Sequence, residues 1–320
     1  AENQPAKKHR MNQELSSFAA RLRALISNRQ SAIGNRQFTG LALELFALQF
    51  KHNSAYRKIC EARQITPEVV EHWTQIPAVP AAAFKELELT SLAPTERTAV
   101  FHSSGTTEQK PSRHFHSAES LAVYEASLWS WFAKNVAIGT PNSGSASSGV
   151  VLADSEIGVP AVGQFQLILL TPPPEQAPHS SLVHMFETVG RKMDGTGVPA
   201  GRNFFGKIFD GAWTLDFDAV MTAFSSRPQA PDPRPLLLLG TAFSFVHLLD
   251  FLMENNLRFQ LPEGSRVMET GGYKNRSRTL PKAELHALIT ERLGVTRENI
   301  VCEYGMSELS SQAYDGARPS

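Results

Sequence analysis

Residues 101–116 read FHSSGTTEQKPSRHFH, a short apolar lead into serines, threonines and a glycine, with basic residues behind them. Ser103, Ser104, Gly105, Thr106 and Thr107 bring several backbone N–H groups and four hydroxyls into five residues. A loop needs these groups to wrap a polyanion without carrying much fixed charge. The pattern points to nucleotide phosphates. It is not a P-loop, because the GKS or GKT ending that opens a helix with a lysine and a magnesium-binding hydroxyl is missing. Ser, Thr and Gly also make plain surface turns for conformational reasons, so this stretch alone leaves a phosphate loop and a polar turn both open.

Two later stretches narrow the choice: VMETGGYKNRSR at 267–278 and VCEYGMSELSSQ at 301–312. Each begins as a buried strand end and then presents glycine beside polar or aromatic groups, at the edge where open α/β sheets bind ligands. The three stretches in this order resemble the adenylate-forming enzymes, which join a carboxylic acid to ATP as an acyl-adenylate. Adding Ser112, Arg113 and His114, the HSSLVHM run at 179–185 and the GTAF run at 240–243, the chain resembles the LuxE-type acyl-protein synthetases of bacterial fatty acid reductase systems. The motifs span residues 100–315 or so, and the first hundred residues carry none that can be named.

The resemblance implies an α/β fold of the acyl-CoA synthetase-like kind, a large domain with mostly parallel sheets flanked by helices. Residues 1–95 would be its helical part and residues 96–320 its nucleotide- and acyl-binding core. It implies that Ser103, Ser104, Gly105, Thr106 and Thr107 contact the phosphates, with Lys110 and Arg113 as charge partners for the leaving pyrophosphate. Gly271, Gly272 and Tyr273 would border the adenine, and Tyr304, beside Gly305, would lie on it. Ser307 would meet the phosphate, and Glu308 would hold Mg²⁺, an ion that favours carboxylates, phosphates and water. Thr106, Lys110, Arg113 and Glu308 would thus be the catalytic set.

There are two departures. Glu108 stands where such loops usually carry glycine, and an acid beside phosphates is unfavourable unless it faces water or a metal. The family also continues past the YGMSE motif with a ribose-binding aspartate, a hinge, and a mobile C-terminal lid bearing a catalytic lysine. No counterpart precedes Ser320. The acyl-accepting cysteine of the family belongs to that portion too, so the chain reads as a fragment, and neither Cys60 nor Cys302 is assigned to that role.

Composition sets further bounds. With 31 basic and 31 acidic residues the formal charge is zero, and no basic stripe suits a nucleic acid. No apolar run approaches the ~20 residues of a membrane span, and AENQPAKKHRMNQ has no signal-peptide core. Two cysteines make no disulfide framework. The expectation is a cytoplasmic enzyme.

Apolar spacing predicts two or three packed helices in the first sixty residues, from Leu15, Phe18, Ala19, Leu22, Leu25 and Ile26 and then Leu41, Leu45 and Leu48. Pro77 and Pro80 predict an extended stretch over 76–84. Leu121, Tyr124, Leu128 and Trp131 mark a helix, and residues 139–149 a loop. Strands are expected over 150–153, 166–170, 236–239, 266–269 and 299–303, and helices over 181–189, 215–224, 242–254 and 282–293. The last is punctuated by Pro281 and Gly294. Gly195, Gly197 and Gly201 have the wrong spacing for a dinucleotide fingerprint, and residues 227–235 read as a surface connection. His114 and His116 share a strand face without zinc-ligand company, so one should pack and the other be solvated.

The reading is AMP-forming activation of a carboxylic acid, expected to be a fatty acid, with ATP and Mg²⁺. Acyl transfer to a thiol follows, and an acyl-CoA or fatty acid reductase is the next partner. Acyl- or aryl-CoA ligase chemistry of the phenylacetate-CoA ligase type, and a non-catalytic nucleotide-binding module, are the alternatives.

Overall fold

The computed structural model describes residues 12–28, 33–103, 110–137, 165–195, 203–225, 234–273 and 276–315. The chain divides into two units. The first comprises Ala1–Ser127 with His179–Ser181 and Met306–Ser311, and the second the remainder.

Three helices open the first unit: α1 (Gln13–Ser27), α2 (Asn35–His52) and α3 (Ser54–Ala62). The Asn12 side chain caps α1 by accepting from the Glu14 amide at 2.9 Å. Asn53 divides what would otherwise be one long helix. Its amide closes α2 on the Gln49 carbonyl at 2.8 Å, and its side chain accepts from the Tyr56 amide at 3.0 Å to start α3. Leu15, Ala19 and Leu92 pack with Leu48, Phe115 and Val123, and Phe46, Cys60 and Val70 form a second small core.

The proline-marked stretch is extended only as far as Pro80. There the proline carbonyl accepts from the Ala83 amide at 2.9 Å and a single turn, α4 (Ala83–Glu86), begins. A proline excludes helix before it and tolerates helix directly after it, so Phe84 is helical, contrary to expectation. An antiparallel hairpin follows, β1 (Ala99–His102) and β2 (Arg113–His116), with His102 opposite Arg113. Helix α5 (Ala118–Phe132) buries Tyr124 and Leu128 as expected, but Trp129 is its buried tryptophan. Trp131 is 44% exposed although it stands seven residues after the buried Tyr124, on the same side of the helix.

The second unit is built on a mostly parallel sheet. Its elements in order are β3 (Gln166–Leu170), α6 (Ser181–Asp194), β4 (Asn203–Phe204), β5 (Gly206–Phe209), β6 (Ala212–Leu215), α7 (Phe217–Ser225), β7 (Leu236–Thr241) and α8 (Ala242–Glu254). β8 (Arg266–Thr270), α9 (Lys282–Leu293), β9 (Ile300–Met306) and β10 (Ser311–Tyr314) complete it. The sheet order is β10-β9-β8-β7-β3-β4, with β3 parallel to β4 and β7, and β8 parallel to β7 and β9. Every residue of β7 is buried, as a central strand covered on both faces requires. Leu236, Leu238, Phe245, Leu249, Leu285 and Ile289 belong to the main core. The fold class expected from the sequence is the one observed.

Helices α8 and α9 match their expected limits, and α9 stops at Gly294 in the left-handed region at φ 69°. Leu215, expected to open a helix, instead ends β6. Asp216 caps the helix one residue later by accepting from the Ala219 amide at 3.1 Å. The β5–β6 hairpin turns on Asp210 (φ 48°) and Gly211 (φ 71°), two left-handed residues in succession, as a tight hairpin turn demands. The expected strand at 150–153, the loop at 139–149, Gly197, Gly201 and residues 227–233 lie outside the described residues.

Candidate functional site

The serine and threonine motif falls between β1 and β2 in the sequence. One residue beyond the His102–Arg113 pair, the Ser103 amide donates to the Ser112 carbonyl at 3.1 Å, and the Ser112 amide donates to Ser103 Oγ at 3.0 Å. Ser103 therefore closes the neck of the loop. Ser104, Gly105, Thr106, Thr107 and Glu108 lie outside the described residues. Lys110 is exposed, and the Arg113 guanidinium lies 5.6 Å from the Phe115 ring centre.

The residues after β9 return to this hairpin within the same unit. The buried Ser112 hydroxyl donates to the Glu308 carboxylate, joining two motifs 196 residues apart. Ser307 Oγ meets Ser181 Oγ at 2.8 Å, which brings in the start of the HSSLVHM run. His179 is fixed by donating from Nδ1 to the Val100 carbonyl at 3.1 Å, and its ring stacks on His102 at 4.6 Å. Burial lowers the His102 pKa, with His179 and Arg113 adding to the effect.

Ser310 Oγ lies 2.9 Å from His114 Nε2 and 3.4 Å from His116 Nε2. Both histidines are packed, so the expectation of one solvated ring is corrected. Strand alternation puts them on one face. That face meets Phe84 at His114, and Phe101 and Tyr124 at His116. Burial lowers the His114 pKa, opposed by the charge of Glu308.

In the second unit Gly271, Gly272 and Tyr273 follow the carboxyl end of β8, and Tyr304 and Gly305 lie in the last residues of β9. Gly271 takes φ 69° just past Thr270, and a Cβ built on Gly271 or Gly272 would meet nothing within 4 Å. Both glycines therefore face open space. Tyr273 is turned back, its hydroxyl donating to the Leu280 carbonyl at 2.9 Å and its ring packed on the main core. Tyr304 is 66% exposed. Beside these residues lies a polar group that sequence reasoning missed. The Thr270 hydroxyl donates to the buried Glu303 carboxyl, and Glu303 Oε1 sits where a Cβ on Gly305 would come within 2.5 Å. The Glu303 pKa is pushed up to about 7, first by burial and then by the charge of Glu269, against the Thr270 hydrogen bond. Glu269 is buried on β8 and bonded to His286 of α9 at 3.1 Å. A buried strand acid was the only signal available in the sequence for either glutamate.

Neither cysteine is primed as a nucleophile. Burial raises the pKa of Cys60, and burial together with Glu269 pushes the Cys302 thiol up to about 12.

Among the described residues no cluster of three His, Cys, Asp or Glu could hold a metal by itself. A magnesium ion does not need one, since it is commonly held by one or two carboxylates plus phosphate oxygens and water. Glu308 supplies a hard oxygen donor beside the loop neck, and that donor set fits.

The fold is that of adenylate-forming ligases. A crystal structure of 2-hydroxyisobutyryl-CoA ligase, in the postadenylation state with R3-HIB-AMP, aligns with a TM-score of 0.52 at 14% identity, over 90% of this chain and 51% of that one. A second structure of that ligase, with 2-HIB-AMP, aligns at 0.48 and 14% identity, over 97% and 54%. The chain thus spans about half the length of these solved structures. Residues 12–116 match the family described as "Acyl-protein synthetase, LuxE". This match covers the helical stretch in which no motif could be named and overlaps the motifs only at the hairpin. No curated protein matches the chain. Among the described residues no helix is long and apolar enough to cross a membrane.

Proposed function

We propose that this protein activates a carboxylic acid, of the fatty acid class, by attack of its carboxylate on the α-phosphorus of ATP. The products are an acyl-adenylate and pyrophosphate, and the acyl group then passes to a thiol. The observation that carries this reading is the Ser112–Glu308 hydrogen bond, because it brings the acid of the last motif to the neck of the serine and threonine loop. Two anions must meet in this reaction, and fixed N–H dipoles and hydroxyls suit the charge that develops. Ser104, Gly105, Thr106 and Thr107 contribute those groups, while Ser103 and Ser112 hold the loop closed at its base. Lys110 and Arg113 attract the departing pyrophosphate, and Ser307 contacts the phosphate.

A magnesium ion, when bound, screens the phosphate charge, and Glu308 is its protein ligand. The exposed ring of Tyr304 offers a stacking surface for adenine, and the uncrowded backbone of Gly271 and Gly272 lets a ring approach. The high pKa of Cys302 and the burial of Cys60 argue that the accepting thiol is a different one. A reductase that takes up the activated acyl group is the fitting next partner.

Calorimetry with hydrolysis-resistant acyl-adenylates of increasing chain length tests the proposal. Affinity should rise with chain length, and Glu308→Ala should remove the magnesium dependence of ATP binding while leaving the circular dichroism spectrum unchanged. Absence of acyl-adenylate binding at every length, or unaltered magnesium dependence in Glu308→Ala, would contradict it.

A further inference from the structure

Ser112 directly precedes β2, and with His114 and His116 it makes a row of alternate residues on one side of that strand. The whole row meets the short 3₁₀ turn Ser307–Leu309 and the residue that closes it, Ser310. Ser112 donates to the Glu308 carboxylate. Further along the strand, His114 Nε2 lies 2.9 Å and His116 Nε2 3.4 Å from Ser310 Oγ. A hydroxyl has one proton and two lone pairs, so Ser310 can donate to one ring and accept from the other. All of these residues belong to the first unit.

Ser310 has an uncommon backbone. It stands at φ 46° and ψ 45°, in the left-handed region, and its amide donates to the Ser307 carbonyl at 3.3 Å. An L side chain occupies that region at a cost, and such a conformation persists where the surroundings over-determine it. Here the two imidazoles do so, and they are braced in turn. The His114 ring centre is 6.2 Å from that of Phe84, and His116 is 5.3 Å from Phe101 and 5.9 Å from Tyr124. The adenylate-forming reading gives tasks to Ser307 and Glu308 and none to Ser310 or the histidines.

We propose that His114, with His116 as the second partner of the same hydroxyl, is a positioning residue for nucleotide binding. Acting through Ser310, the imidazoles fix the 307–309 turn so that Ser307 and Glu308 stand at the loop neck before the phosphates arrive. This inference rests on the adenylate-forming reading above. Their part is to pre-organise the turn. When the contact is lost, the turn keeps the binding path only part of the time, and apparent affinity falls by that fraction.

The contact is made through Nε2, which tells two variants apart. A glutamine side chain can bring its amide to about the place of Nε2, and the shorter asparagine cannot. Ser310→Ala removes the hydroxyl while leaving both rings in place. Two readouts test the proposal: ATP affinity by calorimetry in the presence of magnesium, and amide hydrogen exchange at residues 307–310 without nucleotide. His114→Asn should lose about fivefold or more in affinity and exchange faster, and Ser310→Ala, which ends both contacts, at least as much. His114→Gln should stay within about twofold of the wild type in both. Unchanged affinity and exchange in His114→Asn and Ser310→Ala would overturn the proposal. So would equal losses in His114→Gln and His114→Asn, because ring packing against Phe84 would then matter and the hydrogen bond would not. Exchange that quickens as described in a protein whose wild type binds no ATP would overturn the adenylate-forming reading and the role given to His114 with it, while the contact itself stood.

Discussion

Glu303 and Glu269 are buried acids on adjacent strands with different partners, a threonine hydroxyl for one and an imidazole for the other. Their difference yields a stability prediction at the residue scale. The Glu303 pKa is raised from 4.5 to about 7, so its contribution to stability is full below the unfolded value and is lost as pH rises through the folded one. An interval of that size corresponds to roughly 3 kcal/mol. The stability advantage of Glu303→Gln over wild type, measured by urea unfolding, should therefore grow between about pH 5 and about pH 8 by up to that amount. An advantage independent of pH would contradict the assignment. His286→Leu leaves Glu269 buried without its partner, and unfolding free energy should drop by about 3–5 kcal/mol. A loss under about 1 kcal/mol would show that the pair carries little.

Elements whose signals are local were legible in advance. Helix α9 lies between Pro281 and Gly294, and α8 begins at Thr241, whose hydroxyl accepts from the Ser244 amide at 3.1 Å. The runs at 167–170 and 236–239 are apolar throughout and became interior parallel strands. What escaped was set by partners far along the chain. Thr270–Glu303, Ser112–Glu308 and His114–Ser310 join residues 33, 196 and 196 positions apart, which no periodicity encodes. The β5–β6 hairpin is a different kind of miss, because Asp210–Gly211 is itself a local hairpin signal. A prediction at this scale concerns β7. A Cβ on Gly240 would lie 3.0 Å from Leu170 Cβ and 3.1 Å from Phe245, where β3, β7 and α8 pack. Gly240→Ala should cost about 1–3 kcal/mol in urea unfolding, as overpacking does, and a neutral result would mean that this contact yields freely.

At the scale of the whole molecule, two lines that overlap only at the hairpin lead to one reading. The family match rests on residues 12–116, and the motif order rests on the chain from the hairpin onward. The parallel sheet places Gly271 and Gly272 just past β8 and Tyr304 and Gly305 in the last residues of β9, at its carboxyl edge, where such sheets bind ligands. The central claim is acid activation through an adenylate. Its most direct test is the exchange of labelled pyrophosphate into ATP by the intact protein, with and without added carboxylic acids of graded length. The account predicts exchange that requires both acid and magnesium and is lost in Glu308→Ala. ATP binding without acid-dependent exchange at any chain length would contradict it and leave a nucleotide-binding protein that does not activate acids.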